Sequence, residues 1–188
     1  MADFSIISDV SNAILKLLRE QICPELIQSP EAIQMISPSD KNADYQLGLY
    51  LYDIQELWEY KQLDLIRLEK GIGKYPPKPL NLYYALFINS KAQMMSDAEN
   101  EQRILGRAMQ VLMDNSILND NTGEWEEENP SITSLPLSFE DKTKIWSVLS
   151  LPYQLAVYFS VAPVMLSSRR MHRFTRVLST EIRTGQSV

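Results

Sequence analysis

The chain changes hydrophobic period several times, and each change marks an element. In residues 4–22, Ile7, Val10, Ile14, Leu17 and Leu18 recur at helical spacing, with Lys16, Arg19 and Glu20 on the other side. The pattern predicts a helix ended by Pro24, which lacks a backbone N–H. Residues 31–37, EAIQMIS, predict a short strand followed by a turn over 37–40. Residues 45–57, YQLGLYLYDIQEL, alternate: Tyr45, Leu47, Leu49 and Leu51 face one way, and Gln46, Gly48, Tyr50 and Tyr52 the other. Residues 58–68 are expected to continue or pair with that strand. Residues 69–79, EKGIGKYPPKP, predict a loop, because two glycines and three prolines disrupt regular elements. In LNLYYALFINS, residues 80–90, Leu80, Leu82, Tyr84, Leu86 and Ile88 form an apolar face. The opposite set, Tyr83, Ala85 and Phe87, is also apolar, so this strand is expected to be central and covered on both sides.

A second long helix is expected over 97–116. Ser96 and Glu99 have the spacing of a capping box, Asp97 adds negative charge to the first turn, and Glu99 and Arg103 are spaced as a helical ion pair. Ile104, Leu105, Ala108, Val111 and Leu112 supply its buried stripe. Residues 119–130 read as a solvated loop, and Ser138 with Asp141 opens a short helix through about Leu149. Strands follow over 152–162 and 172–183, with Phe174, Leu178 and Ile182 inward in the last. The order α-β-β-β-α-α-β-β fits a single α+β domain over 1–188, a mainly antiparallel sheet with helices packed on it.

Charge sharpens this picture. The 188 residues carry a formal net charge of -6, which argues against nucleic acid as a partner. The distribution is uneven. Residues 119–130 hold five carboxylates and no cation, whereas 167–188 hold Arg169, Arg170, Arg173, Arg176 and Arg183 against Glu181. Such asymmetry marks differently solvated faces or complementary contacts between subunits. The arginine segment, Arg169, Arg170, Arg173 and Arg176, is the candidate protein interface; Arg173 and Arg176 fall on opposite faces of an extended strand and make no single stripe for nucleic acid. No stretch approaches the ~20 apolar residues of a membrane span, and the first residues lack the pattern of an export signal, so the expected first location is the cytoplasm with no membrane partner.

Catalytic chemistry finds little purchase. The single histidine, His172, lies among arginines that disfavour its protonated form, and the single cysteine, Cys23, ends an apolar helical pattern, where packing is the natural role. Two such residues cannot make a usual zinc site, so no metal or cofactor is expected. KGIGK resembles a phosphate loop only in part: position 68 is Leu where a P-loop needs Gly, and position 75 is Tyr where it needs Ser or Thr. A dinucleotide fingerprint fails at Pro76. A calcium loop centred on Gly123 would begin at Leu118 and end at Asn129, neither a carboxylate. Asp53, in LYDIQ, is the most interesting single carboxylate, read either as part of an acidic site or as the point where the strand reaches the sheet edge.

Five stretches, DFSIISDVSNAILKLLRE, YQLGLYLYDIQE, KYPPKPLNLYYALF, EQRILGRAMQVLMD and LPYQLAVYFSVAPVMLSS, occur in an order that resembles the tail-terminator, or cap, proteins of extracellular contractile injection systems. These are phage-tail-like particles typified by the Photorhabdus virulence cassettes and the Serratia antifeeding prophage. The resemblance covers nearly the whole chain, with little of it in 119–130 or the last few residues. It implies a structural protein with a phage tail-terminator-like α+β fold and no catalytic residue. It further implies a hexameric ring on the distal end of the inner tube and sheath, ending their polymerisation. Assembly in the bacterial cytoplasm and a place in a released particle follow from the same resemblance. The alternatives from other classes are a small effector or enzyme with an unlocated acidic site, and an adaptor that binds one partner by strand addition.

Overall fold

A computed structural model describes residues 4–40, 44–60, 64–67, 72–89, 98–119 and 129–173. The elements run in the order α1 (Ile6–Ile22), β1 (Ile33–Met35), β2 (Leu47–Glu56), β3 (Ile66–Arg67), β4 (Ile72–Lys74), β5 (Lys78–Ile88), α2 (Ala98–Asp114), β6 (Ser131–Ser134), α3 (Phe139–Val148), β7 (Ala156–Leu166) and β8 (Met171–Arg173). A five-stranded sheet has the order β1-β2-β5-β7-β6, with β1 parallel to β2 and every other neighbour antiparallel. A second sheet, β3-β4-β8, extends the β5–β7 pair: β4 leads into β5, β8 follows β7, and the two pair with each other as β5 and β7 do. The fold is therefore α+β and mainly antiparallel, as the periodicities imply.

The double-sided apolar pattern of β5 has its physical counterpart here. Leu80, Leu82, Tyr84, Leu86 and Ile88 join the main core beneath α1 and α2, with Ile14, Leu18, Leu105 and Leu112 packed against them. Tyr84 stacks on Phe159 at 5.4 Å between ring centroids, and its hydroxyl meets Ser11 Oγ at 2.8 Å, so the one polar atom it carries inward is satisfied. On the opposite face Phe87 makes T-shaped contacts with Tyr45 and Trp146, both at 5.8 Å between centroids, and Trp146 Nε1 donates to Tyr158 Oη at 2.8 Å. Trp146 anchors α3 to this face. That helix opens as its sequence predicts, with Asp141 N donating to Ser138 Oγ at 3.1 Å. The stripe predicted for α2 is the buried one, and Glu99 and Arg103 lie 2.6 Å apart. Ser96 and Asp97, and the inward positions predicted at Phe174, Leu178 and Ile182, lie outside the described residues.

Several expectations are corrected. Tyr45 turns to the Phe87–Trp146 face rather than to that of Leu47 and Leu49, because it precedes the first paired residue, Leu47. The described residues of 58–68 neither continue nor pair with β2: Trp58–Tyr60 form a 3-10 turn and β3 joins β4. The loop expected over 69–79 contains β4 and the start of β5. Pro79 fits because its carbonyl accepts from Leu57 N at 2.8 Å just past the last β2–β5 pair, Glu56–Leu80, so its missing N–H falls beyond the ladder on that side. The strand placed at 152–162 is Ala156–Leu166. Ala162 and Pro163 together oppose Asn81, a bulge in which an absent N–H breaks no ladder bond. Strand β6 has no counterpart in the periodicity, since Ile132 is its one buried residue.

Candidate interaction surfaces

The three residues singled out for chemistry, Asp53, Cys23 and His172, stand on separate elements: β2, the end of α1 and β8. Asp53 is exposed at a β2 bulge, where its carboxylate accepts from Ile54 N at 2.8 Å and Gln55 Nε2 at 2.7 Å. One contact is to the strand's own backbone and the other to a side chain of the same strand, so both hold the carboxylate along β2. Cys23 caps α1 and packs against the core, and burial pushes its thiol pKa up, the opposite of an activated nucleophile. His172 is exposed on β8, opposite Gly73. Among the described residues no three His, Cys, Asp or Glu side chains cluster to hold a metal, and no helix is long and apolar enough to cross a membrane. An open groove of about 540 Å³ lies between α1 and residues 23–30. Its guanidinium, Arg19, is committed to the Ile33 carbonyl at 3.1 and 2.7 Å. Nothing there pairs a nucleophile with a base.

The arginine segment is better organised than its sequence suggests. It begins where β7 ends and enters β8. The Arg169 guanidinium lies 5.4 Å from the Phe4 ring centre, ahead of α1, and that of Arg170 lies 5.0 Å from Tyr75, ahead of β5. The backbone is tied in as well: Tyr75 N donates to Arg170 O at 3.3 Å, and Arg170 N to Ser168 Oγ at 3.2 Å. Stacking on a ring leaves a guanidinium charged, so the segment keeps its positive charge. Arg173 is exposed on β8, and Arg176 lies outside the described residues. Sequence reasoning found the charges; it missed Phe4 and Tyr75, which are brought to them from distant parts of the chain. Around them, Phe4 and Met171 are 76% and 65% exposed, so apolar area adjoins the arginines.

The main sheet also has a stepped edge. Strand β1 pairs with β2 only at Leu47–Leu49, while β2 runs on to Glu56. A second exposed apolar group surrounds α3, where Phe139 meets Tyr153 at 5.0 Å and Val148 is 85% exposed. Among the described residues, these edges and exposed side chains, and not a cavity of convergent polar groups, are the features that stand out.

Two solved structures share the fold. The sheath/tube terminator of the PVC extracellular contractile injection system, in its extended state, matches with a TM-score of 0.68 at 18% identity, over 100% of this chain and 66% of that one. The tube-terminating cap of the anti-feeding prophage matches with a TM-score of 0.63 at 18% identity, over 94% of this chain and 61% of that one. The chain thus spans less than two thirds of the length of either. No curated protein matches the sequence. The model of one family, the Pvc16 N-terminal domain, matches residues 9–180, nearly the whole chain, and the protein belongs to that family.

Proposed function

We propose that the chain is a structural cap, a tail terminator that ends the growth of the inner tube and sheath of a contractile, phage-tail-like injection particle. One observation carries the reading: a fold likeness running along the whole chain to two proteins that are themselves terminators of such particles. The chemistry of the surfaces supports it. A helical tube or sheath presents the same adhesive end after every added layer, because head-to-tail contacts do not close. A protein that stops growth needs a rigid sheet, exposed edges and faces for contact, and no bond-making site. The five-stranded sheet, its stepped β1 edge and the exposed basic and apolar side chains support the first two of these needs.

In this reading six copies form a ring, the ring sits on the last layer of tube and sheath, and the segment with Arg169, Arg170 and Arg173, with Arg176 beyond it, lies at a subunit or sheath contact. The ring forms in the bacterial cytoplasm with the rest of the particle and leaves with it. The test is binding to ends. Purified protein mixed with tube and sheath assemblies should appear in electron micrographs as a ring on one end. Decoration along the sides, or no binding at all, would contradict the proposal.

A further inference from the structure

We infer that copies of this chain join head to tail, the basic end of one copy meeting the acidic edge around β1 of the next. The inference rests on the ring reading proposed above and names its contact. Residues 72–78 and 167–173 carry Lys74, Lys78, Arg169, Arg170 and Arg173 and no carboxylate, on a chain of net charge -6. They come together because β4 pairs with β8 where β5 and β7 leave the main sheet. Lys78 reaches Glu56 at 3.4 Å, while the arginines are spread by their stacking on Phe4 and Tyr75.

The complementary surface is on the same chain. Residues 16–44 carry Glu20, Glu25, Glu31, Asp40 and Asp44 against Lys16, Arg19 and Lys41, five carboxylates to three cations, with Lys16 paired to Glu20 at 3.9 Å and Arg19 turned onto the Ile33 carbonyl. Within them β1 pairs with the first three residues of β2, at the Leu47–Ile88 end of the sheet. The basic segments begin at the other end, where Lys78 pairs with Leu166. Ten residues of β5 separate the two levels, a rise of roughly 33 Å at strand geometry. At that distance the charges cannot meet within one copy, and a Debye length of about 8 Å screens them from each other. Opposite charges on opposite ends of a protomer are what a heterologous contact requires, and such a contact closes into a ring when the rotation allows. A second copy is favoured over sheath or tube because this chain itself supplies the matching charge. Exposed faces on all three residues of β8, and the exposed side chains of Glu25 and Glu31, place both patches where a neighbour reaches them.

The test uses charge reversal in the full chain, read by sedimentation velocity at low salt and by melting. The arm-reversed variant is R170E/R173E and the edge-reversed variant is E25K/E31K. All four side chains are exposed, so both variants should melt close to the parent. Each alone should lose about tenfold or more in association and run as a monomer. Mixed one to one, they should recover the ring, because each reversed arm now faces a reversed edge and the two kinds alternate around the circle. Recovery of the ring on mixing, from two variants that each fail alone, supports the contact. Several results overturn it: variants that assemble like the parent, a mixture that stays monomeric, or a parent that is monomeric at low salt. Arm-reversed rings of normal size that no longer bind sheath would also overturn it and assign the arm to sheath instead. The cap reading is judged separately, by end binding of the parent chain, so the two can fail independently.

Discussion

Gly48 lies where β2 passes under the Phe87 ring. A Cβ built there would sit 2.6 Å from Phe87 Cζ and 2.9 Å from Cε1. Phe87 cannot give way, since Tyr45 and Trp146 hold it from two sides. Gly48→Ala is expected to cost about 1–3 kcal/mol by overpacking, read as a lower melting temperature. Tyr84 makes a second residue-scale case. Burial pushes its pKa up to about 12, and burial does the same for Tyr52, also up to about 12. A tyrosine whose folded pKa is raised stabilises the fold fully below its unfolded pKa of about 10 and loses that contribution as pH rises toward the folded value. Stability should therefore fall between about pH 10 and 12. Tyr84→Phe should cost about 1 kcal/mol at neutral pH through the lost bond to Ser11, whose hydroxyl keeps its 3.0 Å bond to the Ile7 carbonyl, and should flatten part of the alkaline fall. An unchanged alkaline limb in that variant would contradict the assignment.

The strands and helices show which signals a sequence carries. In α2 and β5 the burial pattern is written in the local period, and the fold repeats it except at Tyr83, which is only half-buried. Leu86 is fully buried between β2 and β7, so Leu86→Asp should cost several kcal/mol by burying an unpaired charge. A variant that melts like the parent would remove β5 from the centre of the sheet. What the period does not carry is context. Pro79 and Pro163 look like strand breakers until a ladder end and a bulge absorb them. Four residues with one buried side chain, as in β6, give no alternation to read. The candidate surface was half legible for the same reason: charge is a property of sequence, whereas the rings under Arg169 and Arg170 come from Phe4 and Tyr75 by tertiary contact.

At the scale of the whole molecule, the proposed role is to join the end of an assembly and stop its growth. If six copies cover the last layer of tube and sheath, they satisfy its contacts on one side and offer a different face on the other. A particle without this chain then has no structural stop. The direct measurement is particle length in electron micrographs of a strain lacking the gene, beside the same strain with the gene restored. The account predicts tubes and sheaths of uneven length, or sheath that contracts early, with uniform particles returning on complementation. Particles of normal length with sharp ends and intact extended sheath in the deletion strain would contradict it.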